Sequence, residues 1–285
     1  MAVDGFRFGT VGAPLSTPKK PGGSVGAVLR LAEMGLKALE LGWVQSVRVT
    51  EATCAAIRAA AQEQDVLVSV HAPYFINLNA DAEEWPKSRQ RLMDAAHYGN
   101  LAGATEIIFH PGSYFGKAPE EVLPTAIERL EGCVAELRAA GNPATLRPET
   151  MGKTAMLGSF EDTLAMSRAI PGVLPCIDFA HLHARTGDGA MNSYDEWMRL
   201  LETYGQALGA AALQNLHIHL SGIDYGPKGE KEHLALADAD LDYPALLRAL
   251  LRSGCAGRIL CESPEMENDA LKLQQAWEAA LTEAA

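Results

Sequence analysis

Residues 66–110 read VLVSVHAPYFINLNADAEEWPKSRQRLMDAAHYGNLAGATEIIFH. A short run rich in Val (66–71) ends on His71, a helical stretch follows over 85–102, and a second apolar run (106–110) ends on His110. Runs this short and rich in β-branched residues predict buried strands, and the longer amphipathic stretch between them predicts a helix. Working outward, the same unit recurs. Strand-like runs fall at 6–10, 38–41, 145–149, 174–178, 216–219 and 258–262. Helical stretches fall near 24–34, 50–64, 119–140, 159–169, 194–205, 244–253 and 268–281. Several carry end signals. Thr50 precedes one helix with Thr53 in its first turn, and Pro119 followed by Glu120 and Glu121 suits another's N-terminus. Gly141 and Gly254 stand where C-caps are expected.

Eight strands alternating strictly with eight helices imply parallel strands joined by right-handed crossovers. Eight such units in about 250 residues predict a single (β/α)8 TIM barrel of the α/β class. A doubly wound open sheet is the architectural alternative, but no G-x-G-x-x-G follows the first strand, and the segment from Gly9 to Gly12 is too short. No Gly/Ser linker or shift of composition interrupts the chain, so one domain over 1–285 is expected.

The composition, 48% hydrophobic and 21% charged over 285 residues, excludes intrinsic disorder and supplies a sizeable core. No apolar run approaches the ~20 residues that cross a bilayer, and the opening MAVDGFRFGT lacks the basic and apolar regions of a secretory signal. A cytoplasmic protein is expected. Five scattered cysteines (Cys54, Cys133, Cys176, Cys255, Cys261) form no C-x-x-C and read as small buried residues of a reduced compartment. The net charge of −12 argues against broad adhesion to nucleic acid or anionic membrane. Acidic residues that bind cations count as negative in that figure although a loaded site is not.

In a TIM barrel the C-terminal ends of the strands converge on one mouth. The last residues of the third to eighth predicted strands are His71, His110, Glu149, Asp178, His219 and Glu262. All are metal-binding types, whereas His, Asp and Glu make up only 44 of 285 residues. Allowing one residue of slack, six in six is a coincidence on the order of 10⁻². Imidazoles with carboxylates and no thiolate suit zinc, manganese or iron. Six ligands exceed what one tetrahedral zinc needs, so at least two ions are expected, with Glu149, midway round the arc, as the bridge. Asp178 and His181, three apart, can serve adjacent ions. The segment from Gly226 to His233 reads as a flexible loop with possible ligands in Glu230, Glu232 and His233, or as an ordinary charged surface loop. His217 shares a strand face with His219 and is either the ligand or its partner; His219 lies nearer the mouth and is preferred. His97 and Glu106 read as structural, and His183 as a neighbour of the site or a surface residue.

Together, His71-Ala72-Pro73-Tyr74-Phe75-Ile76-Asn77-Leu78, Lys87-Ser88-Arg89, His110-Pro111-Gly112-Ser113, Glu149-Thr150, Cys176-Ile177-Asp178 with His181, His219-Leu220 and Glu262 resemble endonuclease IV, the zinc-dependent TIM-barrel family of abasic-site DNA repair enzymes. The resemblance implies a first zinc on His71, His110 and Glu149, and a second on Glu149, Asp178, His219 and Glu262. It implies a third on His181, which the family completes with an Asp-x-His pair. Here the corresponding stretch reads Glu230-Lys231-Glu232-His233. It further implies hydrolysis of the phosphodiester 5′ to an abasic site in double-stranded DNA. Two or three Zn²⁺ per chain would act there, or Mn²⁺, with Glu149 and Glu262 catalytic. Tyr74 matches the family's position for insertion into the duplex, whereas the loop from Gly42 to Arg48 departs from the pattern; Trp43 or Arg48 would have to serve. Arg89, Lys228 and Lys231, with Lys87 and Arg91, are the candidate DNA phosphate contacts. A monomer is expected. The rival is a xylose-isomerase-like sugar isomerase or epimerase, whose single divalent ion needs only Glu149, Asp178, His219 and Glu262. A non-catalytic DNA- or sugar-binding barrel is a third reading, against which the intact ligand set argues.

Overall fold

The computed structural model describes residues 5–284. Residues 1–4 and 285 lie outside the described residues, and with them the first residues of the segment read for a signal and the extreme ends of the expected 1–285 domain. Strands β1 (Phe6–Val11), β2 (Ala38–Gly42), β3 (Leu67–His71), β4 (Glu106–Phe109), β5 (Thr145–Pro148), β6 (Cys176–Asp178), β7 (Leu216–Leu220) and β10 (Gly257–Cys261) form one parallel sheet. Its order is β5-β4-β3-β2-β1-β10-β7-β6, and parallel bridges Leu146↔Val173 and Glu149↔Cys176 link the two end strands. The sheet is thereby rolled into the (β/α)8 TIM barrel that the alternation predicts. Helices α1 (Gly23–Glu33), α2 (Glu51–Gln64), α3 (Trp85–Leu101), α4 (Pro119–Ala139), α5 (Phe160–Ala169), α7 (Tyr194–Leu208), α9 (Tyr243–Arg252) and α10 (Glu267–Ala284) connect the strands. Short helices α6 (Phe179–Ala184) and α8 (Ala210–Leu213) extend the connections around β6 and β7. Among the described residues, no helix is long and apolar enough to cross a membrane.

Local signals act where expected. The Thr50 hydroxyl accepts from Thr53 N at 3.2 Å and caps α2. Pro119 opens α4, with Glu120 and Glu121 in its first turn. All five cysteines are buried and unpaired.

One element was not expected. The segment read as a flexible loop is an antiparallel hairpin of β8 (Gly222–Gly226) and β9 (Gly229–Leu234). Both of its strands are anchored near the turn. Glu230 N donates to Gly152 O (2.9 Å), and the Tyr225 hydroxyl donates to Asp240 (2.7 Å). The hairpin's residues do not alternate in polarity, so neither face announces itself in sequence.

Strand parity decides what the barrel contains. Residues 68 and 70 of β3 face the helices, where a side chain on Gly99 would strike Val70 and Ile107. The opposite parity points inward and is unusually polar. Glu40, Ser69, Glu106, Arg147, His217 and Arg258 are all buried within the barrel. Glu106 reaches Arg147 Nη2 and His217 Nδ1, each at 2.5 Å, and Arg258 Nε at 3.4 Å. Buried charges persist only when paired and hydrogen-bonded, and these are.

Candidate metal centre

The inward polar column ends at the mouth. There His71, His110, Glu149, His181, Glu230, His233 and Glu262, with Val11 and Tyr74, line a cavity of about 430 Å³. His110, Glu149 and Glu262 stand one residue past the strands they follow, so the strand-end reading holds to within a residue.

Glu149 is the hub. Its Oε2 lies 3.2 Å from His71 Nε2 and 3.4 Å from His110 Nε2; its Oε1 lies 3.3 Å from His181 Nδ1 and 3.5 Å from His219 Nδ1. His219 Nδ1 is also 3.5 Å from Glu262 Oε1, and His181 Nδ1 is 3.4 Å from Asp178 Oδ2. His181 Nε2 is 3.6 Å from Glu230 Oε2, and His233 Nε2 is 3.7 Å from Glu262 Oε2. Ligand atoms fall into four groups, each mutually within 4.8 Å: His71, His110 and Glu149; Glu149, Asp178, His219 and Glu262; Asp178, His181 and His233; and, beneath the mouth, Cys176, His217 and His219.

The donor set fits divalent cations. His71 Nδ1 lies 2.9 Å from Ala72 O, His181 Nδ1 2.9 Å from Thr150 O, and His233 Nδ1 2.6 Å from the Ser221 hydroxyl. Where Nδ1–H donates to a carbonyl, Nε2 carries a bare lone pair, and these lone pairs face carboxylate oxygens. Lone pair against carboxylate is repulsive unless a proton or a cation lies between. Buried Glu149 Oε1, Asp178 Oδ2, His181 Nε2 and His219 Nδ1 have no hydrogen-bond partner, and such orphans need an explanation. The protonation balance points the same way. Burial opposes charge on His181 and His219, yet Asp178 facing the first, and Cys176 and Glu262 facing the second, drive both imidazoles well above their usual range. Burial likewise opposes charge on Glu149, which His110 and His219 hold well below the carboxylate range.

The structure separates residues that the sequence left together. His217 lies beneath the mouth, its Nε2 2.9 Å from Glu40 and its Nδ1 2.5 Å from Glu106, so neither nitrogen is free for a metal. His219 is the one facing the cavity side. His183 bonds Ala190 O (3.0 Å) and Asp240 (3.0 Å), fastening α6 near the hairpin. Glu230 reaches the site, whereas exposed Glu232 pairs across the hairpin with Asp224, away from the cavity-lining residues. Gly152 makes the room: a Cβ there would stand 2.4 Å from Glu230 Oε2.

Four of the five candidate DNA-contact cations sit in ion pairs. Arg89 pairs with Glu136, Lys231 with Asp224 (3.2 Å), and Lys87 and Arg91 both with Glu84 (3.0 and 2.7 Å). These cations are neutralised locally; Lys228 is exposed on the hairpin turn. Lys19, Lys20, Arg48, Lys117 and Lys153 are exposed on the loops after β1, β2, β4 and β5, and none forms an ion pair among the described residues. Loops of the opposite arc are richer in acid, with Asp188, Asp224, Glu232, Asp238 and Asp240 beside Lys228 and Lys231, and Asp81 and Glu83 stand on the loop after β3. Exposed Leu15, Tyr74, Phe75 and Phe115 lie on the basic arc's loops, and Tyr74 stacks on His110 with centroids 4.9 Å apart.

The chain is 35% identical over 271 residues to an uncharacterised protein of Methanocaldococcus jannaschii, covering 95% of this chain and 96% of that one. It is 30% identical over 207 residues to endonuclease 4 of Thermus thermophilus, covering 69% and 71%. The crystal structure of endonuclease IV from another strain of Thermus thermophilus superposes with a TM-score of 0.70 at 23% identity, over 96% of this chain and 99% of that one. Residues 28–283 match the family described as xylose isomerase-like TIM barrel. The chain belongs to the xylose isomerase-like TIM-barrel family, and the endonuclease 4 proteins are among its relatives.

Proposed function

We propose that this protein is a metal-dependent phosphodiesterase that cleaves DNA 5′ to abasic sites. The observation that carries the reading is the placement of His71 and His110 on the oxygen of Glu149 turned away from His219. A single-ion isomerase needs only Glu149, Asp178, His219 and Glu262; two further imidazoles on the far side of a shared carboxylate supply a second ion. His71 and His110 with Glu149 would hold one ion, and Glu149, Asp178, His219 and Glu262 another. His181, Glu230 and His233 would hold a third, Glu230 taking the place of an Asp-x-His aspartate. When bound, zinc or manganese supplies Lewis-acid activation of water and neutralises phosphate oxygens.

The chain's own residues supply the rest. Glu149 and Glu262 fix the ligand geometry and offer oxygens that orient the attacking water. Tyr74 walls the cavity beside His71 and His110, where a flipped baseless sugar would enter; flipping costs least where pairing is already lost. The unpaired lysines and arginine of the β1–β5 arc bind the phosphate backbone, and the acidic arc turns it away. Elemental analysis combined with an incision assay on an abasic-analogue duplex tests the reading. Two or three zinc per chain with chelator-sensitive nicking is expected. One manganese per chain and no nicking would move the assignment to a sugar isomerase.

A further inference from the structure

We propose that Glu40 is a positioning residue of the metal centre, holding His219 with Nε2 turned into the barrel and Nδ1 presented to the ions. The inference rests on the mouth being a metal centre. Glu40 is fully buried on β2 and does not line the cavity. Its Oε1 lies 3.0 Å from His219 Nε2, while the opposite ring nitrogen stands 3.5 Å from Glu149 and from Glu262. Both atoms are buried and neither has a hydrogen-bond partner, so the 3.0 Å approach is a close charge pair and leaves each the other's nearest recorded polar contact. A carboxylate on the far nitrogen of a ligating imidazole fixes its tautomer and raises its basicity.

What distinguishes Glu40 from an incidental neighbour is how firmly it is held. Its Oε2 accepts from Ser69 Oγ (2.8 Å) and faces His217 Nε2 (2.9 Å). His217 is held in turn at Nδ1 by Glu106 (2.5 Å), and Glu106 by Arg147 (2.5 Å). A buried column thus runs from Arg147 on β5, through Glu106 on β4, His217 on β7 and Glu40 on β2, to His219. Ser69, His217 and His219 thus hold the Glu40 carboxylate from three strand positions. The interior polar layers of this barrel thereby gain a purpose: they aim one ligand.

The test uses the full chain, stripped of metal and titrated with zinc against a competing chelator. Glu40→Ala is expected to weaken zinc binding by about 10- to 100-fold, the usual cost of removing such a support. Glu40→Gln, which keeps an acceptor oxygen, should recover most of the loss. In zinc-loaded wild type, ¹⁵N-histidine spectra should place the His219 proton on Nε2. Melting of the metal-free forms reports whether each variant folds. Undiminished zinc affinity in folded Glu40→Ala would overturn the proposal. Should that variant not fold, a wild-type His219 proton on Nδ1 would overturn it independently. A wild-type protein that binds no zinc would instead overturn the metal-centre reading itself.

Discussion

The divided charge of the mouth makes a quantitative prediction about DNA. Lys19, Lys20, Arg48, Lys117 and Lys153 are exposed and unpaired on one arc. Each cation that neutralises a phosphate contributes about −0.9 to the slope of log affinity against log salt, so five contacts give a slope of about −4.5. A fourfold rise in salt, from roughly 50 to 200 mM, then costs about 500-fold in affinity. Replacing Lys19, Lys20 and Arg48 together by Gln leaves two contacts, a slope of about −1.8, and a loss of about 12-fold over the same range. None of the three is in an ion pair, and all three are exposed, so the variant should fold as wild type. Fluorescence anisotropy of an abasic-analogue duplex measures the slope, with chelator present to prevent cleavage. The opposite arc is the control: Lys231 is neutralised by Asp224 at 3.2 Å, and Lys231→Gln should leave the slope nearly unchanged. An unaltered slope in the triple variant, or an equal loss in Lys231→Gln, refutes the assignment of the DNA track to the basic arc.

Three further outcomes are expected. Gly152→Ala places a methyl group 2.4 Å from Glu230 Oε2 and 3.1 Å from the His181 ring; metal sites tolerate displacements of only about 0.2 Å. Elemental analysis should therefore show loss of the ion on His181, Glu230 and His233, with the ions on Glu149 retained. Glu106→Gln strands Arg147 and Arg258 in the barrel floor and should cost about 3–5 kcal/mol by denaturant unfolding at neutral pH. Burial opposes charge on Glu106, but Arg147, Arg258 and His217 hold its carboxyl far below the usual range. Its contribution is therefore present above the ordinary carboxylate pKa and fades as pH falls below it, so the wild-type and Gln curves should converge in acid. Chelation of metal should lower the melting temperature by about 5 °C or more, because each ion at a hundredfold saturation stabilises the fold by about 2.7 kcal/mol. A melting point indifferent to chelator would contradict a resident metal.

The candidate ligands were legible because barrel geometry converts a one-dimensional signal into a three-dimensional one. His71, His110, Glu149, Asp178, His219 and Glu262 each lie within one residue of a strand's C-terminal end, and parallel strands place those ends together. Glu40 was passed over although ALELG carries a lone acid among aliphatic residues. The available signal was parity. Glu40, Ser69, Glu106, Arg147 and His217 interrupt otherwise apolar strands at positions that all face inward, and buried polar residues of one parity imply partners. The ion pairs of Arg89, Lys87, Arg91 and Lys231 were not legible, for a complementary reason. A cation in sequence carries no mark of the carboxylate that neutralises it, and these partners lie between 3 and 47 positions away.

By itself the sequence determined the strand–helix alternation and the chemical type of the side chains at the strand ends, because hydrophobic period and residue identity are local properties. Only the tertiary structure decided that His219, not His217, faces the cavity. It likewise decided that Glu230 rather than Glu232 reaches His181 across Gly152, and which cations of the mouth are paired with carboxylates. Each depends on which groups meet across the barrel or between loops, and such meetings are set by closure of the sheet and docking of the hairpin.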